Sequence, residues 1–164
     1  MTEHILTEIS TTVIDPAKAI SFVSDPIQGA IDTFIGIVRN HHEGRNVTGI
    51  TYDVHEGLAN KTFQDICSEA QGIWPGTRYF VSHFHGVLDV GGISIVIAVS
   101  SPHRADSFEA CRFVIEEIKK RAPVWKKEHY VEGASDWLPG HSLNVEAQES
   151  LVCCGRCGEK RHAG

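Results

Sequence analysis

Hydrophobic and polar positions alternate with period two from His4 to Val13, where Ile5, Thr7 and Ile9 face one way, and this predicts a strand. Asp15-Pro16 then carries a helix start, Asp as N-cap and Pro at the first helical position. Ala30 to Val38 is β-branched and apolar on both faces and reads as a buried strand. The polar stretch Asn40 to Asn46 joins it to a second strand, Val47 to Glu56, whose Ile50, Tyr52 and Val54 share a face, and marks a functional loop. From Leu58 to Trp74 the period changes to 3.6, with Leu58, Phe63, Ile66, Ala70 and Ile73 in one stripe, and Pro75-Gly76 ends the helix. Two strands follow, Arg78 to His85 and Ile93 to Ser100, separated by a turn from Gly86 to Gly92; the second is almost wholly apolar and belongs at the centre of a sheet. Ser101-Pro102 resembles an N-cap and first-turn proline, placing His103 and Arg104 in the first turn of a helix. Ala105, Phe108, Cys111, Val114, Ile115 and Ile118 form the stripe of that helix, which stops at Ala122-Pro123. Val124 to Val131 alternates again as a last strand, with Val124, Lys126 and Glu128 on one face and Trp125, Lys127 and His129 on the other. This order of strands and helices is α+β rather than a regular βαβ array.

Past Trp137 the hydrophobic period is lost and the chain turns to Gly, charge and Cys, so residues 1–140 are expected to form one domain and residues 141–164 a mobile tail. A length of 164 residues is in keeping with a single core. The formal charge of −6 has the wrong sign for a protein that wraps nucleic acid, so any anion site must be local. The chain has no apolar run of bilayer length and no signal-like N-terminus, and the expectation is a soluble cytoplasmic protein without a membrane partner. Five cysteines, three of them at Cys153, Cys154 and Cys157, do not make a disulfide framework.

Two groups of cations stand out. His103 and Arg104, at a helix start where backbone N–H groups and the dipole favour an anion, suit phosphate oxygens, and Arg39 at a strand end offers a second guanidinium; plain helix capping fits His103 and Arg104 equally well. On the same helix Lys119 borders the apolar stripe and Lys120 faces water. A lysine beside apolar surface loses hydration of its charged form and gains the capacity to act as nucleophile or acid/base, whereas a lysine that merely covers the stripe with its methylenes has the same sequence signature. Lys126 carries the same two readings. His83 and His85 sit two apart, a spacing open to a metal but lacking a third ligand nearby, so hydrogen-bonded core histidines or partner contacts are the simpler reading. Cys154, Cys157 and His162 match three ligands of a zinc knuckle, with a reduced tail as the alternative.

Together, Gly29 to Gly44 (GAIDTFIGIVRNHHEG), Trp74-Pro75 and Ala98 to Glu128 (AVSSPHRADSFEACRFVIEEIKKRAPVWKKE) closely resemble the large, catalytic subunit of molybdopterin synthase, in order and spacing from about Gly29 to Trp137. The resemblance implies an α/β-hammerhead fold, a homodimer, and one small ubiquitin-like sulfur-carrier subunit per protomer, a 2:2 assembly. It implies conversion of cyclic pyranopterin monophosphate to molybdopterin, two sulfurs coming from the thiocarboxylate at the carrier's Gly-Gly C-terminus, with no metal or other cofactor. Arg39, His103 and Arg104 map onto the family's substrate-binding residues, and Lys119 and Lys126 onto its catalytic lysines. Tyr52-Asp53-Val54-His55 stands where relatives often have Tyr-Glu-x-Tyr, and Gly140-His141 where a basic residue is expected. A non-catalytic carrier-binding scaffold and a zinc-binding regulatory module built on the tail are the alternatives; retention of all five cationic positions favours the enzyme.

Overall fold

The computed structural model describes residues 3–139. In chain order it comprises β1 (Ile5–Ser10), α1 (Pro16–Val23), β2 (Ala30–Ile37), β3 (His41–His42), β4 (Arg45–Val54), α2 (Glu56–Ile73), β5 (Arg78–Phe84), β6 (Gly86–Asp89), β7 (Ile93–Ser101), α3 (Arg104–Arg121), β8 (Val124–Tyr130) and β9 (Trp137–Pro139). The α+β class expected from the pattern is the class observed.

One sheet has the order β1-β5-β7-β2, with β1 parallel to β5 and the other pairs antiparallel. β7 is central, as its apolar run requires, because both of its faces are covered. Ile95, Ile97 and Val99 pack into a core with Phe63 and Ile66 of α2 and Val114 and Ile118 of α3. Val96 and Ala98, on the other face, join Ala19 and Val23 of α1 and Val47 and Ile50 of β4. The second sheet is built on β4, which pairs along its length with β8 and over a shorter stretch with β6, while β3 and β9 extend it. Gly49 is required where β4 meets β6, since a Cβ there would lie 2.6 Å from the Leu88 carbonyl oxygen.

Local chemistry explains the boundaries, including those that depart from the pattern. Asp15 caps α1 by accepting from the Ala17 amide at 2.9 Å. Ser101 instead remains the last residue of β7, its hydroxyl donating to the His103 carbonyl at 2.6 Å; His103 is the N-cap of α3 and Arg104 its first residue. β2 is not buried on both faces: it pairs with β7 at one side of the sheet, leaving Ile31, Ile35 and Ile37 exposed. The stretch expected to be a Gly86–Gly92 turn contains β6, which links the two sheets. Val124–Tyr130 is followed by β9, so it is not the last strand. The loop after Arg39 is a short hairpin whose turn residues Glu43 and Gly44 both have positive φ.

Candidate functional site

A cavity of about 500 Å³ opens where the end of β2, the middle of β4, the start of β8 and the last turn of α3 meet. Phe34, Ile115, Ile118 and Val124 supply apolar wall, and Arg39, Lys119 and Lys126 all line it. Each cation arrives by a different route: Arg39 two residues beyond the last residue of β2, Lys119 near the C-terminus of α3, and Lys126 on the inward face of β8.

The polar organiser of the cavity is Glu128, which is 4% exposed. Its Oε1 accepts from Lys126 Nζ at 3.1 Å and its Oε2 from the Tyr130 hydroxyl at 2.6 Å, with His42 Nε2 at 3.9 Å. Burial alone would raise the carboxyl pKa, but the Tyr130 and Lys126 hydrogen bonds and the nearby His42 outweigh it and hold Glu128 below the ordinary carboxylate range. Arg39 Nη2 lies 3.3 Å from His42 Nδ1. A guanidinium only donates, so Nδ1 accepts and a neutral His42 carries its hydrogen on Nε2, which lies 3.6 Å from Glu43 and 3.9 Å from Glu128. Arg39 and His42 therefore form one pair and Lys126, Glu128 and Tyr130 a hydrogen-bonded group beside it, the two separated by the 3.9 Å between His42 and Glu128. Three cationic side chains set against one carboxylate give this cavity a positive bias within an acidic protein, which suits an anionic ligand.

The structure separates the two groups of cations that the sequence singled out. His103 and Arg104 are exposed at the N-terminus of α3, and 15 residues of helix at 1.5 Å each put them about 22 Å from Lys119. Arg39 does not join them either: Ala30 pairs with Ser101 at one end of β2, whereas Ile37 pairs with Ile93 at the other, where Arg39 follows. Within one chain the expected anion site of His103, Arg104 and Arg39 is not assembled. The helix phase holds at the lysines, Lys119 lining the cavity while Lys120, its side chain 64% exposed, pairs with Glu117. It fails at the other end, where Phe108 is exposed and Ser107 and Ala110 are buried in its place.

His83 and His85 do not converge on a metal site. His83 is a buried, hydrogen-bonded core histidine, and His85 lies past β5 with its Nδ1 3.0 Å from Glu56. No cluster of three metal-ligating side chains occurs among the described residues. The zinc-knuckle candidates Cys154, Cys157 and His162 lie outside the described residues. Cys67 and Cys111 are buried free thiols, and burial pushes the Cys111 thiol up to about 12, which makes it unreactive. The sequence reading missed Glu128, His42 and Tyr130 as site residues. Alternation did place Glu128 beside Lys126, but it takes the packing to show that the carboxylate is buried. No described helix is long and apolar enough to cross a membrane.

This fold and cavity define an α+β protein with a cation-lined pocket, and comparison with known proteins gives it a family. Residues 9–121 match the family model described as MoaE protein, and the chain belongs to that family. It is 42% identical to the molybdopterin synthase catalytic subunit of Synechococcus elongatus, covering 85% of each chain. It is likewise 42% identical to that of Arabidopsis thaliana, over 87% of this chain and 80% of the relative. The crystal structure of molybdopterin synthase from Staphylococcus aureus superposes with a TM-score of 0.78 at 35% identity, covering 84% of this chain and 98% of that one.

Proposed function

We propose that this protein is the catalytic subunit of a molybdopterin synthase, a cytoplasmic sulfurtransferase that converts cyclic pyranopterin monophosphate to molybdopterin. The two dithiolene sulfurs come from the C-terminal thiocarboxylate of a small ubiquitin-like carrier subunit whose tail enters the cavity. The observation that carries this reading is the convergence of Arg39, Lys119 and Lys126 on one apolar-walled cavity around a buried carboxylate. Lys119, exposed at the rim, is the residue placed to meet the carrier's terminal acyl group, and Lys126, held by Glu128, keeps a fixed positive charge where anionic substrate and released carboxylate must both be accommodated.

The distance between Lys119 and the His103–Arg104 pair supports a site shared between two protomers. A substrate far shorter than about 22 Å cannot touch both ends of α3 in one chain. A second copy presenting its own α3 N-terminus at the cavity supplies the phosphate-binding groups, giving a homodimer with two composite sites and, with carrier, a 2:2 assembly. The family membership and the 42% identity to synthase subunits over most of the chain support the same assignment. The direct test mixes the full chain with thiocarboxylated carrier and the cyclic pterin under anaerobic conditions and assays dithiolene formation. Turnover that requires all three components is the expected result; carrier binding without any product would leave a scaffold instead.

A further inference from the structure

The buried end of the cavity holds a residue that neither cation group explains. His83 is the penultimate residue of β5, lines the cavity, and is 7% exposed. Its ring stands edge-on to Tyr52, with centroids 5.2 Å apart, and lies 6.4 Å from the Phe63 ring. Its Nδ1 is 2.8 Å from the Phe84 carbonyl oxygen. A carbonyl only accepts, so Nδ1 carries the hydrogen and Nε2 of the neutral ring keeps its lone pair. Nε2 makes no hydrogen bond among the described residues. Because His83 lines the cavity, the ring nitrogen left free by the Phe84 hydrogen bond is the one available to a ligand there.

Most other polar groups here cannot do what this nitrogen does. Arg39, Lys119 and Lys126 only donate, and the Glu128 carboxylate is already bonded to Lys126 and Tyr130 through one oxygen each. A reduced pterin carries ring N–H and amino donors, and burying one unpaired costs binding. The adjoining wall includes the aromatic rings of Tyr52 and Phe34 and the aliphatic Ile95, a lining that suits a heterocycle held by a few placed polar contacts. We infer that His83 Nε2 accepts a hydrogen bond from an N–H of the pterin ring and is a specificity-determining contact for that heterocycle, an inference that rests on the cavity being the pterin site. Burial also pushes the His83 pKa down to about 4, against the opposing Phe84 hydrogen bond and with a small contribution from His85, so the acceptor form persists through neutral pH.

The test titrates cyclic pyranopterin monophosphate and, separately, the carrier into the full chain and two variants. His83→Asn keeps an amide N–H for the Phe84 carbonyl but has no acceptor at the Nε2 position, whereas His83→Gln returns an oxygen close to it. The expected result is about tenfold weaker pterin binding for His83→Asn, most of it recovered in His83→Gln, with carrier affinity unchanged in both. Pterin analogues methylated at single nitrogens, titrated into the wild-type chain, need no substitution: one of them must lose about tenfold. Unchanged pterin binding in His83→Asn, equal weakening in Asn and Gln, weakening of the carrier instead, or full binding of every methylated analogue would each overturn the inference. A wild-type chain that binds carrier but no pterin overturns the reading of the cavity itself, a result distinct from all of these.

Discussion

Lys119 and Lys120 are neighbours in sequence with opposite surroundings, and that difference separates a catalytic role from a merely basic helix end. Lys119→Ala is expected to abolish dithiolene formation while folding, dimerisation and carrier binding persist, because its side chain lines the cavity without packing into the core. Lys120→Ala removes an exposed side chain paired with Glu117 on the same helix and is expected to be nearly silent in both turnover and melting temperature. The pair is read in one assay, and an inactive Lys120→Ala beside an active Lys119→Ala would show that the helix phase argument is wrong. Glu128 gives a different kind of prediction. Removing the carboxylate strands Lys126, whose side chain is 12% exposed, as a buried charge without its partner, so Glu128→Ala should cost about 3 kcal/mol in denaturant unfolding. The cost should shrink when Lys126→Ala is combined with it, which a double-mutant cycle measures.

The helix α3 carries both proposed halves of the active site at its two ends, and this is where sequence reading and structure part company. Periodicity placed Lys119 at the edge of the apolar stripe and strand alternation put Lys126 and Glu128 on one face, because those relations are local and set by the 3.6 and 2.0 repeats. The grouping of Arg39 with His103 and Arg104 rested on charge rather than on a repeat, and the β2–β7 register separates them within one chain. Phe108 misled for a different reason: it is apolar and in phase with the stripe, yet it is exposed. Likewise, β2 looks buried in sequence because Ile31, Ile35 and Ile37 are apolar, although they face out from a strand at the side of its sheet. The element-level prediction follows from the two ends of α3. Arg104→Ala should weaken pterin phosphate binding by roughly 1 to 3 kcal/mol and leave carrier affinity alone. If the site is shared across two chains, Arg104→Ala and Lys119→Ala protomers, assayed at a pterin concentration too low for the first to turn over and with the second inactive, recover up to about a quarter of wild-type turnover when unfolded and refolded together, since the mixed dimers hold one intact site. No recovery, with mixed dimers shown to form, would place both groups in the same chain's site.

At the scale of the assembly, the apolar residues that β2 leaves exposed have the character of an interface rather than a solvated edge. Light scattering at micromolar concentration is expected to show a dimer without carrier. Acid stability of that dimer should report the buried core of the cavity. The folded-state pKa of His83 is depressed from 6.5 to about 4, so in between the unfolded chain binds a proton that the folded one refuses. Stability from this residue is therefore complete above pH 6.5 and is lost progressively as pH falls toward 4, by an amount on the order of 3 kcal/mol. Glu128, depressed from the ordinary carboxylate range, adds a loss in the same direction at lower pH, as its carboxylate is protonated and Lys126 is left without a counter-charge. The chain has ten histidines, so the overall slope alone assigns nothing. The difference does: His83→Gln cannot titrate, and unfolding at fixed protein concentration from pH 7 to pH 4 should fall less steeply for it than for the wild type. Parallel profiles for the two proteins would mean that His83 is not held neutral by burial, and the lone pair assigned to the cavity would lose its physical basis.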